Sequence, residues 1–105
     1  MKKKRASKIA KPSLFVVFGV DENGRARGAR FPTRQFELAL EAATLPGMAV
    51  YEAVSTEMQL LAKQLPSGRA YASRRAPLPF IEKDLYDRLH AASGGLVRDR
   101  NGEAS

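Results

Sequence analysis

The chain lacks cysteine and has one histidine, His90, among its 105 residues. The absence of cysteine excludes disulfides, thiolate metal sites, iron–sulfur clusters and a cysteine nucleophile. With a single histidine and no thiol, a zinc site has too few ligands of the usual kind. We therefore expect neither a metal ion nor another cofactor.

Long hydrophobic runs are also absent. The longest apolar run, residues 14–20, is much shorter than the roughly 18 to 20 residues that span a bilayer. A basic start precedes this run, as in a signal peptide, but Lys11 and Pro12 interrupt the approach and no small-x-small cleavage site follows closely. The sequence therefore predicts a cytoplasmic protein with no membrane partner.

The positive charge is concentrated at the amino-terminal end. The formal net charge is +7, and residues 1–12 contain six basic residues and no acidic one, which leaves +1 for residues 13–105. The six are Lys2, Lys3, Lys4, Arg5, Lys8 and Lys11. We predict a basic disordered arm (1–12), one compact domain (13–96) and a polar disordered tail (97–105).

The basic arm has two interpretations. It suits the phosphates of nucleic acid or an acidic protein surface, because such contacts need charge and reach rather than fixed geometry. The alternative is a solubilising terminus without a ligand. This alternative stays open because the arm has no aromatic residue that could stack on bases.

A hairpin is predicted at the start of the domain. Residues 14–20 are rich in Val and Phe, as strands are. In the first half of residues 25–31, arginine alternates with alanine or glycine, which also indicates a strand. Between them, Asn23-Gly24 favours the positive backbone dihedrals of a tight turn. Pro32 then ends the second strand, because the residue before a proline is restricted to extended geometry.

Helices and further strands follow the hairpin. Residues 48–54 are nearly all apolar and predict a third strand. Residues 69–75 place their side chains alternately on two faces when read with a period of two, which suits a polar edge strand as the fourth. Thr56 and Gln59 have the spacing of a capping box at the start of a helix. Apolar residues recur with the helical period in three stripes, which lie within residues 36–43, 58–65 and 81–92.

These elements follow the order ββαβαβα and predict a single small α+β domain. The first and third strands are the most apolar and are expected inside the sheet, whereas arginines mark the second and fourth as edges. With the first two strands paired as a hairpin, the spatial order is 2-1-3-4. Crossover helices predict parallel third and fourth strands, and hence a four-stranded mixed sheet packed with three helices.

No constellation of catalytic residues is recognisable. His90 lies near the end of the last helix without a local pattern of nucleophile and base. The pair Asp21 and Glu22 lies in a predicted turn, and Asp84 precedes Arg88 by four residues, as on a solvated helix face. The glycines of the hairpin do not connect a strand to a helix, as a phosphate-binding loop would. We therefore do not expect an enzyme.

Arginines in the predicted strands are the remaining candidates for a binding site. Arg25 and Arg27 share one face of the second strand, and Arg69, Arg74 and Arg75 lie in the fourth. The guanidinium fork suits phosphates and carboxylates. Arginines on edge strands also prevent unwanted strand pairing, and the predicted strand order keeps the two groups apart.

The leading functional hypothesis is a non-enzymatic binding module. In this hypothesis the basic arm and the strand arginines contact nucleic-acid phosphates with little reading of sequence. The alternative is a protein–protein interaction or self-association domain, for example a homodimer, that uses an exposed edge strand or the last helix. Phe80 and Tyr86 would supply its aromatic anchors.

Overall fold

The computed structural model describes residues 14–74, 77–93 and 96–98. Within these residues the helices and strands follow one another along the chain. They are β1 (Leu14–Val20), β2 (Ala26–Pro32), a short 3-10 helix (Thr33–Gln35), α1 (Phe36–Ala42), β3 (Met48–Glu52), α2 (Thr56–Ala62), α3 (Arg69–Arg74), α4 (Lys83–Ala92) and β4 (Leu96–Arg98). The α+β class predicted from the sequence is confirmed.

Three antiparallel strands form the body of the sheet, in the order β2-β1-β3. The whole length of β1 pairs with β2, from Leu14 opposite Pro32 to Val20 opposite Ala26. The short β4 pairs antiparallel with the other side of β3. The predicted order is therefore confirmed in part: the first three strands follow the order 2-1-3, with the first strand inside and the second at an edge.

Both faces of the sheet are buried, which explains why β1 is apolar along its whole length. Phe15 and Val17 point to one face and pack in a cluster with α1. Val16 and Phe18 point to the other face and pack against residues of α2 and α4. All four side chains are at most 7% exposed. The helices thus form a layer on each side of the sheet.

The predicted fourth strand is wrong, because residues 69–74 form the helix α3. The predicted alternation placed Ala70, Ala72 and Arg74 on one face and Tyr71, Ser73 and Arg75 on the other, and the segment has no β-branched side chain. Alanine and arginine have high helix propensity, whereas strands favour β-branched and aromatic residues. α3 packs against α1. A pattern of period two with Tyr71 as its single strand-favouring residue was therefore too weak to specify a strand.

The predicted mixed sheet is also wrong, since every strand pair in the described sheet is antiparallel. After the hairpin, α1 carries the chain from β2 past β1 to β3. This crossover makes β3 parallel to β2 but antiparallel to the strand between them. β4, which pairs with β3, includes residues 97 and 98 of the segment predicted as a tail.

The outer edge of β2 is covered by two loop segments. Arg30 donates its backbone N–H to the Pro66 carbonyl at 2.9 Å, and Gly68 donates back to the Arg30 carbonyl at 2.9 Å. Further along the strand, Gly28 donates to the Pro79 carbonyl at 3.0 Å. These bonds occupy the groups with which a second chain would pair. The loops, and not the arginines alone, therefore protect this edge.

The cap of α2 lies one residue earlier than the sequence indicated. Ser55, not Thr56, is the N-cap, and its hydroxyl oxygen accepts a hydrogen bond from the Met58 N–H at 3.0 Å. The Gln59 amide donates to the Ala53 carbonyl at 2.9 Å. The polar residues of the predicted capping region thus anchor the start of the helix, but with a shifted register.

Candidate functional site

The sequence-predicted binding residues fall into several environments. The six basic residues of the arm, Lys2, Lys3, Lys4, Arg5, Lys8 and Lys11, and also Arg75, lie outside the described residues. Arg74 ends α3, and its side chain is not described. Arg69 begins α3 and is exposed. Only Arg25, Arg27 and Arg69 can therefore be related to their surroundings.

Arg27 has a structural role in the hairpin. Its Nε donates to Asp21 Oδ2 at 2.5 Å, and one terminal nitrogen donates to the Leu78 carbonyl at 2.8 Å. The side chain is 22% exposed and that of Asp21 is 17% exposed. Because the guanidinium group already holds a carboxylate and a carbonyl, it links the hairpin to the loop before α4.

Asp21 organises the turn between β1 and β2. Oδ1 accepts hydrogen bonds from the backbone N–H groups of Asn23 at 2.9 Å and Arg25 at 3.0 Å. The hydrogen bond from Arg27, followed by the N–H of Arg25, holds the pKa of the Asp21 carboxyl below its ordinary value, because both donors stabilise the charged form. Gly24 has a φ of 78°, as the sequence predicted for this tight turn.

Arg25 and Phe80 form an exposed pair beside this turn. The guanidinium carbon of Arg25 lies 5.1 Å from the centre of the Phe80 ring, and that of Arg27 lies 5.0 Å from it. Phe80 is 55% exposed, an unusual position for a phenylalanine. Among the described residues, no carboxylate lies within ion-pair distance of Arg25. We call these two residues the Arg25–Phe80 pair.

The loop that carries Phe80 is fixed to β2 on both sides of the ring. The Pro79 carbonyl accepts from the Gly28 N–H at 3.0 Å, and the Ile81 N–H donates to the Ala26 carbonyl at 2.9 Å. Arg27 and Phe80 themselves form an antiparallel bridge. The ring is therefore exposed on an anchored backbone.

A cleft adjoins Phe80 and has a volume of about 330 Å³. Its lining combines apolar groups with amide, carboxylate and guanidinium groups. The lining residues are Gln64, Pro66, Phe80, Ile81, Glu82, Asp84, Leu85 and Arg88. Neither Arg25 nor Arg27 lines it. Arg88 Nε lies 3.4 Å from an Asp84 oxygen, so part of this charge is paired.

The arginines do not form one continuous surface. The Arg30–Ser67 bridge places the start of α3, and hence Arg69, near the end of β2. Arg25 precedes the start of the same strand, five positions before Arg30, which corresponds to about 16 Å of extended chain. One terminal nitrogen of Arg30 donates to the carbonyls of Lys63 and Leu65. Arg30 therefore holds the residues that directly follow α2.

His90 lies in a second, smaller cavity of about 150 Å³. Its ring stacks on that of Tyr86, with centroids 5.9 Å apart and planes inclined by 16°. No carboxylate lines this cavity, whose other walls are Phe18, Gly19, Gly47, Ala49 and Tyr51. A third cavity, of about 290 Å³, lies beside the hairpin turn between Asp21 and Leu78.

Neither a metal cluster nor a membrane span occurs in the described part of the chain. No group of three or more His, Asp or Glu side chains there could hold a metal ion. No helix among the same residues is long and apolar enough to cross a bilayer. The acidic residues of α4 instead pair along the helix, with Lys83 Nζ donating to Asp87 at 2.9 Å.

Sequence reasoning named Phe80 only as a possible protein-binding anchor and did not connect it with the arginines. The two parts of the site are 55 positions apart, and the contacts between β2 and the loop of Phe80 bring them together. The single local signal was an aromatic residue between prolines and a helix. Comparisons of the chain with family models, curated proteins and solved structures found no match, so its geometry alone supports a functional assignment.

Proposed function

We propose that the protein is a non-enzymatic module that binds nucleic-acid phosphates. The observation that carries this proposal is the exposed guanidinium group of Arg25, which has no carboxylate partner among the described residues and lies beside an exposed aromatic ring. Exposed arginine is well suited to phosphate because it presents several donors in a planar fork. The basic arm at residues 1–12 supplies further charge of the same sign.

The proposed contacts are spread over the length of the hairpin. Leu14, which follows the arm, pairs with Pro32 at one end of the hairpin, whereas Arg25 lies at the turn at the other end. The seven residues of β1 extend over about 20 Å, which corresponds to roughly six base pairs of duplex. A nucleic acid that contacts both Arg25 and the start of the domain would therefore span about this distance.

This arrangement predicts strong salt dependence and weak sequence preference. Phosphate contacts release counterions, and the logarithm of the binding constant falls with the logarithm of the salt concentration. Deleting residues 1–12 should reduce this slope by as much as about five units, because six cations are lost. Arg25→Ala should reduce it by about one unit.

The test is fluorescence anisotropy with a labelled oligonucleotide over a range of salt concentrations. Arg34→Ala is the matched control, since Arg34 is also an exposed arginine but follows the opposite end of β2. We expect the deletion and Arg25→Ala to weaken binding and Arg34→Ala to have a smaller effect. The proposal is wrong if the full chain does not bind at low salt, or if neither the deletion nor Arg25→Ala changes affinity and salt slope.

A further inference from the structure

Phe80 has the features of a preorganised stacking surface. Its ring is 55% exposed, yet hydrogen bonds to β2 fix the backbone on both sides, through Pro79 and Ile81. Two prolines, Pro77 and Pro79, further restrict this loop. An aromatic residue on an anchored backbone loses little conformational entropy when a ligand stacks on it. The position therefore favours recognition of a flat ligand.

The charges around Phe80 are divided between two sides of the site. The guanidinium groups of Arg25 and Arg27 lie about 5 Å from the ring centre but do not line the adjoining cleft. The cleft is lined by Gln64, Glu82 and Asp84, and also by Arg88, whose Nε lies 3.4 Å from an Asp84 oxygen. Positive charge for a phosphate and polar groups for a base edge are thus both present beside one ring.

A nucleotide combines the chemistry that these two sides provide. Its base has a π face for stacking, and its edge carries amino donors and carbonyl or ring-nitrogen acceptors. Carboxylates accept from base amino groups, and a glutamine amide can both donate and accept. Arg25 is placed to contact the phosphate. In a duplex the base faces are covered by their neighbours, so only an unpaired base can reach the ring.

We propose that Phe80 and its cleft bind an unpaired nucleobase while Arg25 contacts the adjoining phosphate, so that the domain binds single-stranded nucleic acid more tightly than duplex. This inference rests on the proposed function and names its substrate class. It adds a stacking contact, which phosphate binding by itself does not require.

A tryptophan substitution makes stacking directly observable. The chain contains no tryptophan, so Phe80→Trp introduces a single indole emitter at the site. We expect oligothymidine or oligouridine to quench its fluorescence and a blunt-ended duplex without unpaired bases, with the same number of phosphates, to quench it much less. Leu60→Trp is the matched control, because Leu60 is 57% exposed but lies on α2 and does not line the cleft.

Affinity measurements give a second readout on the full chain. Phe80→Ala should weaken single-strand binding by at least about fivefold and leave duplex binding nearly unchanged, because base–aromatic stacking contributes to the first complex only. Leu60→Ala should change neither. Circular dichroism verifies that each variant is folded, which we expect because both side chains are largely exposed.

The outcomes separate this inference from the proposed function. If single strand and duplex bind equally, and Phe80→Ala alters neither affinity, the stacking inference is wrong while phosphate binding stands. If neither nucleic acid binds at low salt, the proposed function fails as well. Self-association of the chain without nucleic acid, detected by sedimentation and abolished by Phe80→Ala, would overturn the inference and assign the ring to a contact between copies.

Discussion

Gly68 lies against the core side chain Phe31, and replacing it with alanine tests how the loop before α3 is held on β2. A Cβ built on Gly68 would lie 2.6 Å from Phe31 Cε1 and 2.7 Å from the Ala29 Cβ, closer than real Cβ atoms approach. Phe31 and Ala29 are fully buried, so neither can move into solvent. Gly68 is not among the described glycines with positive φ, and the effect is therefore steric.

The expected cost follows from overpacking a filled core. Adding one methyl group to such a site costs about 1–3 kcal/mol, because neighbouring atoms must shift. Alanine also restricts the unfolded chain, which offsets about 0.4–1 kcal/mol of this cost. We expect Gly68→Ala to lower the free energy of unfolding by about 1–2 kcal/mol and the melting temperature by roughly 5–15 °C.

Urea denaturation of a double-mutant cycle with Phe31→Leu measures the effect and identifies its cause. Leucine at position 31 removes the ring atoms nearest to the added methyl group. Gly68→Ala should therefore cost less in the Phe31→Leu background, with a coupling energy of about 1 kcal/mol. Unchanged stability of the single variant, or strictly additive effects in the cycle, would refute this account of the packing.

Two further predictions concern polar contacts. Ser55→Ala should lower the free energy of unfolding by about 1 kcal/mol, since Ser55 is the N-cap of α2; Ser67→Ala, at an exposed serine, is the control. The hydrogen bond from Arg27 lowers the pKa of Asp21 in the folded state. The charged Asp21 carboxylate should therefore stabilise the fold fully above the ordinary carboxyl pKa, and this contribution should decrease as the pH falls through the pKa of Asp21 in the folded protein. Asp21→Asn should flatten stability between neutral and acidic pH, whereas the exposed Glu22→Gln should not; equal pH profiles for wild type and Asp21→Asn would contradict this reasoning.

Local patterns in the sequence predicted much of the hairpin and part of the helices of the domain. Asn23-Gly24 specified the turn because only few residues adopt a positive φ without strain. The apolar spacing from Met58 to Leu65 predicted one buried helical face, and its residues are buried, although α2 itself ends at Ala62. Such features depend on neighbours close along the chain, and they could therefore be predicted without knowledge of the tertiary fold.

The candidate site was less predictable because its contacts join distant segments. Arg25 and Arg27 were predicted to share one face of the second strand, but Arg25 precedes β2, and sequence alone could not distinguish the two. In the fold, Arg27 bonds the Leu78 carbonyl, 51 positions away, whereas Arg25 stays exposed over Phe80. The same loop covers the edge that the arginines seemed to protect. Residue type thus indicated two candidate arginines but not which of them has its guanidinium group engaged within the fold.

The sequence by itself determined the absence of thiol chemistry, the concentration of positive charge in residues 1–12 with +1 left for residues 13–105, and the α+β class. These properties follow from composition and from short-range periodicity. Only the tertiary structure decided that residues 69–74 form a helix, that the sheet is antiparallel, and that Phe80 lies against Arg25. Those features depend on which distant segments pack together, because burial and hydrogen bonding across the fold override weak local preferences.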